Sequence, residues 1–176
     1  MFKWLRRLTN TSIASPKIGI LNLIGERASQ LISEDKVFFH LFSSVSKSND
    51  NAPICDVLIL YADIASNGSI QNSNNNLREI IRNSGAKVVL VASENKGENY
   101  IAAAADTGFG RANLVMTLER KGQKFPNFFK LLFSEMMRGT TMPIAWVKLA
   151  PQIPGHEHQD CPETIFSCEA GQVRFG

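Results

Sequence analysis

The stretch Ile54-Cys-Asp-Val-Leu-Ile-Leu-Tyr61 decides the fold class of this chain. Every side chain after Asp56 is apolar or aromatic, which indicates a strand that is buried on both of its faces. A second run of this kind, Ala86-Lys-Val-Val-Leu-Val-Ala92, follows it along the chain. Strands of this type belong to parallel sheets that helices cover on each side, so the two runs predict an α/β protein.

Strands and helices are predicted to alternate on either side of these runs. The predicted strands are residues 17–24, 36–42, 54–61, 86–92 and 112–118. The predicted helices are residues 26–32, 77–84, 100–105, 125–138 and 143–150, with stops at Gly85, at Gly108 or Gly110, at Gly139 and at Pro151. Alternation implies right-handed crossovers, and therefore a three-layer α/β fold with a mostly parallel central sheet, either caspase-like or flavodoxin-like.

The clearest helix is residues 125–138, because Phe128, Phe129, Leu132 and Phe133 form one apolar stripe. We expect this stripe to pack against the sheet. The polar segments 43–51 and 65–76 are expected to be loops. Residues 164–167 and 172–175 flank Gly171 and predict a hairpin at the sheet edge.

The chain is expected to form one domain over residues 1–176, because its length suits one domain and no linker divides it. Residues 1–16 form an amphipathic N-terminal segment and residues 152–176 a C-terminal loop with the hairpin. The segment Met1–Leu8 combines basic and aromatic residues, as helices on a membrane surface do. We expect instead that Trp4 and Leu8 pack on the domain itself.

Charge and cysteine content exclude several classes of function. The net charge is +3, and the one dense basic cluster is Lys3, Arg6 and Arg7, so we expect no nucleic-acid partner. There are three cysteines and no CxxC pair. With no secretory signal, this pattern predicts a reducing, cytoplasmic location.

Familiar cofactor motifs are absent from the sequence. Gly25 is a single glycine where a dinucleotide-binding turn needs three, and no GxxxxGK[ST] occurs. His40 is expected inside a strand. His156 and His158 lie in a polar cluster with Glu157 and Asp160, which we interpret as a solvated loop. We therefore predict no metal and no cofactor.

Functional groups in open α/β sheets gather beyond the carboxyl ends of the strands. The loops at those positions are residues 63–69 and 93–99. The candidate binding residues there are Asp63, Ser66, Gly68, Ser93 and Glu94.

At these two loops the chain resembles the CHAT branch of the caspase-like proteases. That family carries His-Gly after one central strand and a Ser-Ala-Cys-Glu-Thr-Gly type of segment after the next. Here the corresponding segments are Ser66-Asn67-Gly68 and Ala92-Ser93-Glu94-Asn95-Lys96-Gly97. Asn67 therefore takes the place of the catalytic histidine and Ser93 that of the cysteine. The resemblance covers residues 56–175 and implies a degenerate dyad without cysteine-protease activity, because proteolysis needs a thiolate and a base.

Three functions follow as expectations. The first is a caspase-like (CHAT-like) pseudoenzyme that binds another protein or acts as a scaffold. The second is a hydrolase with a strand-end site around Ser93. The third is a receiver or nucleotide-sensing domain of flavodoxin-like topology, for which Asp63 has the required position after a central strand but Asn22 fails the required acidic position.

Overall fold

The computed structural model describes residues 10–105, 112–120, 122–150 and 161–176. The strands are β1 (Thr11–Ile13), β2 (Lys17–Asn22), β3 (Ser44–Ser48), β4 (Val57–Tyr61), β5 (Val88–Val91), β6 (Asn113–Glu119), β7 (Glu163–Cys168) and β8 (Val173–Phe175). The helices are α1 (Ser29–Phe39), α2 (Leu77–Ser84), α3 (Gly97–Ala105), α4 (Lys124–Met137) and α5 (Met142–Leu149). A single 3-10 turn, Gly25–Ala28, precedes α1.

The central sheet has six strands in the order β3-β2-β4-β5-β6-β7. Strands β2 to β6 are parallel, and β7 is antiparallel to β6 at the edge. The prediction of an α/β fold with a mostly parallel sheet is therefore confirmed. Counted along the chain, the five parallel strands have the order 2-1-3-4-5, so the chain reverses its direction of growth between β2 and β4.

Alternating side chains of the buried strands explain the three layers. Val57, Ile59 and Tyr61 of β4 face the layer that contains α1, α4 and α5. Leu58 and Leu60 of the same strand face the layer that contains α2 and α3. Since both faces of β4 are fully buried, the apolar run that defined it has the double burial expected of a central parallel strand.

Helix α4 contributes the aromatic part of the first layer. All of its predicted stripe is buried, which confirms that part of the prediction. Phe133 contacts Phe38 of α1 with ring centroids 5.5 Å apart, and Phe128 contacts Trp146 of α5 at 5.0 Å. These edge-to-face and tilted pairs add to the burial energy and fix how the two helices lie on the sheet.

The predicted strand at residues 36–42 is wrong. Residues 36–39 form the last turn of α1, and His40 is the exposed residue that follows it. The aromatic residues suggested a strand, but Asp35, Phe38 and Phe39 have the spacing of one helical face, and all three are buried.

The predicted loop at residues 43–51 is also wrong, because residues 44–48 form β3. Val45 lies opposite Ile18, and Lys47 lies opposite Ile20 in the parallel ladder with β2. Serine-rich sequence has little intrinsic preference for strands, so the main-chain pairing with β2, and not propensity, places this segment in the sheet.

The predicted C-terminal hairpin does not form. Strand β7 pairs with β6 in the central sheet, whereas β8 pairs in parallel with β1 in a separate two-stranded sheet. Phe175 of β8 is fully buried, with its ring centroid 6.1 Å from that of Phe42. The two segments part because β7 pairs with β6 at the edge of the central sheet, whereas β8 buries Val173 and Phe175 in the α1–α4 layer.

Several predictions lie outside the described residues. They are the N-terminal segment 1–8, the helix stop at Gly108 or Gly110, the break at Pro151 and the cluster of His156 and His158. Among the described helices, none has the length and apolar character that crossing a bilayer requires.

Candidate functional site

The predicted site residues all lie at the carboxyl edge of the parallel strands. Asp63, Ser66 and Gly68 follow β4, and Ser93 and Glu94 follow β5. Because β4 and β5 are adjacent and parallel, the two connections are neighbours. The structure therefore groups both loops at one edge of the sheet and gives the individual side chains different roles.

Ser93 serves as a clamp between the two strand ends. Its hydroxyl donates to the carbonyl oxygen of Ala62 at 2.6 Å and accepts from the amide of Ala62 at 2.9 Å. The residue is only 4% exposed. The hydroxyl proton is thus given to a backbone carbonyl and not to a base, and a serine nucleophile needs a base to take that proton, so Ser93 is a structural group.

Asn67 is exposed and takes part in a local turn. Its side-chain oxygen accepts from the amide of Ser69 at 3.1 Å and from the Ser69 hydroxyl at 2.8 Å. Asn67 also lines a hollow of about 420 Å³ together with Arg78 and residues of α3. The hydrogen bonds of Asn67 and Ser93 thus point to different partners, and the described contacts do not join the two positions into a dyad.

Gly68 sets the distance between its loop and helix α3. Its φ of +83° favours glycine, and a Cβ atom there would lie 2.5 Å from the backbone of Ala102 and Ala103. No side chain fits at that distance. Gly68 therefore lets its loop pack closely on α3, which is a role separate from the binding role predicted for it.

Two asparagines that the sequence reading missed join the strand-end loops. Asn95 accepts from the amide of Ile64 at 2.7 Å and donates to the carbonyl of Ala62 at 3.0 Å. Asn99 donates to the carbonyl of Ile64 at 2.6 Å. Tyr100 adds a hydroxyl that lies 3.0 Å from the carbonyl oxygens of both Ser93 and Thr117, and burial raises the pKa of this tyrosine. The two loops are held as one unit.

The acidic residues of the predicted site are both engaged. Asp63 forms an ion pair with Arg27, which precedes α1. Glu94 is exposed, and one of its carboxylate oxygens accepts from the backbone amide of Arg120 at 2.7 Å. Glu94, Ser66 and Lys96 line a second hollow of about 480 Å³ at the ends of β5 and β6. This hollow presents charges of both signs on a fixed backbone.

A buried charge cluster behind these loops is the main feature that the sequence reading missed. The Arg120 guanidinium donates to the two oxygens of Asp35 at 2.7 and 3.0 Å and to the carbonyl of Ala92 at 3.0 Å. The Tyr61 hydroxyl donates to Asp35 at 2.5 Å. The guanidinium carbon also lies 4.0 Å from the ring centroid of Phe125.

Burial decides the protonation behaviour of this cluster. Burial raises the pKa of Asp35, while the hydrogen bonds and the charge of Arg120 act in the opposite direction. Burial and the neighbouring carboxylate raise the pKa of Tyr61, so its hydroxyl stays protonated and donates. The cluster joins α1 to the ends of β4, β5 and β6, and it fixes the base of the strand-end loops.

A third hollow, of about 650 Å³, lies at the point where the strand order reverses. It is formed by the turn after β2, including Leu23, Gly25 and Glu26, and by Asn49 and Asn72. Asn72 also donates to the carbonyl of Leu23 at 3.0 Å. Ligands of open α/β sheets bind in crevices of this kind. Among the described residues, no Lys or Arg lines this hollow, so its walls as described do not favour a phosphate.

Cys55 precedes β4 and Cys168 lies opposite the first residue of β6, so both are at the sheet edge away from the strand-end loops, whereas Cys161 precedes β7 near the carboxyl end of β6. Cys55 is buried, and burial raises the pKa of its thiol to about 12. Burial also raises the pKa of Cys161 and Cys168, at the two ends of β7. Within the described ranges, no three His, Cys, Asp or Glu side chains form a group suited to a metal ion.

Comparison of this chain with models of protein families, with curated proteins and with solved structures finds no match.

Proposed function

We propose that this domain is a non-catalytic, CHAT-like member of the caspase-like proteins, which binds another protein and acts as a scaffold in the cytoplasm. The observation that carries the proposal is the double hydrogen bond between the Ser93 hydroxyl and the backbone of Ala62. It uses the side chain at the position of the family's nucleophile to hold two strand ends together. Because the Ser93 hydroxyl holds the backbone and does not serve chemistry, we infer that the loops around it bind a partner.

The chemistry at the other position supports the same proposal. A cysteine or serine nucleophile needs a base that accepts its proton, and the amide of Asn67 has no such basicity at neutral pH. The thiols of Cys55, Cys161 and Cys168 have raised pKa values and so carry little thiolate. For the alternative of a hydrolase at Ser93, the hydroxyl proton would first have to leave the carbonyl oxygen of Ala62 and pass to a base.

The surface that we assign to the partner is the hollow lined by Ser66, Glu94, Lys96 and Glu98. The bonds of Asn95 and Asn99 hold this surface in place before a partner arrives, which lowers the ordering cost of binding. Charges of both signs suit recognition of a polar protein surface, because they reject partners with the wrong charge pattern.

Two experiments test this proposal. Purified protein is first incubated with a library of peptide substrates, and we expect no turnover. Cleavage that a thiol-alkylating reagent abolishes would contradict the pseudoenzyme assignment.

The second experiment concerns binding. The partner is captured from a lysate, purified, and titrated against Ser66→Tyr, Lys96→Glu and the control Lys130→Glu, which changes an exposed lysine on α4. A bulky side chain or a reversed charge within an interface costs on the order of 1.4 kcal/mol or more, so we expect at least about tenfold weaker binding for the first two variants. Equal weakening by the control, or an unchanged affinity in both loop variants, would exclude this surface.

The strand order and the hollow beside Gly25 favour a second candidate, a receiver or nucleotide-sensing domain. In that case, the base and sugar of a nucleotide should bind the hollow, since its walls do not favour the phosphate, and affinity should fall in an Asn72→Leu variant. Alternatively, a small phosphoryl donor should modify Asp63. The ion pair of Asp63 with Arg27 must open before such a modification. Titration calorimetry and mass spectrometry distinguish this candidate from a protein scaffold.

A further inference from the structure

The outer edge of β3 is the feature that carries an inference beyond the strand-end loops. Its sequence is Ser-Val-Ser-Lys-Ser, and it forms one edge of the central sheet. Four of its five residues are exposed, and Val45 retains 43% of its accessible surface. Among the described residues, no strand pairs with the side of β3 that faces away from β2. An edge of this kind is a template for another strand.

The hydrogen bonds of β2 show which backbone groups of β3 face outward. Lys17 accepts from Asp56, and Leu23 donates to Tyr61, so the odd-numbered residues of β2 bond toward β4. The even-numbered residues, Ile18 and Ile20, therefore bond toward β3. In a parallel ladder, each of them bonds to the two residues that flank its partner.

The partner of Ile18 is Val45, and the partner of Ile20 is Lys47. The bonds to β2 are consequently made by Ser44, Ser46 and Ser48. The N–H and C=O groups of Val45 and Lys47 point away from the sheet, where they are free to pair with a further strand.

We propose that this edge pairs with β3 of a second copy of the chain, antiparallel about a two-fold axis at Ser46. In that arrangement Val45 lies opposite Lys47 of the other copy, and each of the two pairs exchanges two backbone hydrogen bonds. The lysine stems lie against valines, and no lysine faces a lysine. The three serines are small enough for the backbones to approach closely.

The segment is self-complementary, which an isologous contact between identical copies requires. The central sheet would continue from one copy into the other. A bare edge buries much less than the roughly 1,600 Å² of a standard interface, so the dimer dissociates on dilution. This inference does not depend on the proposed function, because β3 contributes no residue to the strand-end loops.

Sedimentation equilibrium over a wide range of protein concentrations tests the dimer. We expect the mass to rise from one chain toward two. Val45→Pro deletes an N–H that does not bond to β2, and it should keep the protein monomeric. The matched control Val45→Thr keeps that N–H and the branched shape, and it should associate like the unchanged protein.

Disulfide trapping gives a second measurement that does not rely on the proline variant folding. Residues on the axis form a pair without backbone hydrogen bonds, with Cα atoms about 4.5 Å apart, within the range for a disulfide. In a background of Cys161→Ser and Cys168→Ser, Ser46→Cys should therefore form a covalent dimer on oxidation. Ser44→Cys should not, because it faces Ser48 of the other copy.

The proposal is overturned by a chain that stays monomeric at concentrations used for NMR. It is also overturned by a dimer that persists in Val45→Pro, or by equal cross-linking of the two cysteine variants. Binding of a partner protein at Ser66 and Lys96 should be unchanged in Val45→Pro, so the failure of either proposal is distinguishable from that of the other.

Discussion

Replacing Arg120 with methionine should be among the most destabilising single changes in this domain. Methionine has a similar length and apolar stem, so the change removes the charge, a long hydrogen bond to Glu34 at 3.5 Å and three shorter hydrogen bonds with little loss of volume. The shorter bonds are those to Asp35 at 2.7 and 3.0 Å and to the carbonyl of Ala92 at 3.0 Å. Asp35, which has no exposed surface, would then keep one side-chain partner among the described residues, the hydroxyl of Tyr61.

A buried carboxylate that loses its cation costs about 3–5 kcal/mol. Since domains of this size are stable by about 5–15 kcal/mol, Arg120→Met removes a large share of the total. With a urea dependence of about 2 kcal/mol per M, the unfolding midpoint should fall by about 2 M. Circular dichroism during urea titration measures this shift directly.

Two controls separate the cost of leaving the Asp35 carboxylate without its cation from the other effects of the substitution. In Asp35→Asn/Arg120→Met the charge is absent and the amide oxygen still accepts from Tyr61, so the double variant should be more stable than Arg120→Met alone. Arg138→Met removes an arginine from an exposed ion pair with Glu135, and its midpoint should hardly move. A midpoint for Arg120→Met equal to that of Arg138→Met would refute the reasoning.

The other stability and reactivity predictions concern the core, a close contact and the thiols. Phe129→Ala should lower the free energy of unfolding by about 2–5 kcal/mol, because Phe129 has no exposed surface, and a loss below about 0.5 kcal/mol in urea would contradict its core position. Gly68→Ala should destabilise more than Gly85→Ala in thermal unfolding: both glycines have positive φ, but only Gly68 meets neighbouring backbone. Iodoacetamide at pH 8 should label Cys168 and spare Cys55, whose pKa is about 12, as mass spectrometry of the native protein would show.

The sequence was sufficient for the elements whose patterns are strong. The unbroken apolar runs of β4 and β5 indicate buried strands and nothing else. The stop at Gly85 ends α2 as expected, and the structure adds Asn76 as the residue that caps its start. Stretches whose composition and spacing indicate different structures were predicted wrongly. Residues 36–39 have aromatic content typical of a strand and spacing typical of a helix, and the spacing decides because one face of α1 packs on α4.

The strand β3 could not be found from composition, because an exposed edge strand needs no apolar residues. Its pairing depends on the backbone of β2, which lies more than 20 residues earlier along the chain. The tail was misread for a related reason. Two strands with a short connection suggest a hairpin, and only the positions of β1 and β6 in space show that each has another partner.

The candidate loops were located correctly at the strand ends, since that position follows from parallel topology alone. The charge cluster was missed because Asp35 and Arg120 are 85 residues apart. The sequence did contain a signal for it. Asp35 lies on the apolar face of a helical stretch, three residues before Phe38 and four residues before Phe39. A carboxylate at such a position needs a buried partner, but the sequence does not say which cation supplies it.

The pairing of β1 with β8 has a consequence for how the protein is made. Thr11 lies beside Val173, so one strand emerges from the ribosome at the beginning of this segment and its partner only at the end. At 5–20 residues per second, β1 waits on the order of ten seconds for its neighbour. During that interval Phe42 and Phe133 lack the ring of Phe175, and the α1–α4 layer stays open on one side. The newly made chain therefore closes its aromatic layer last, and nascent chains stalled before residue 173 should be more sensitive to protease in α1 and α4 than the finished domain.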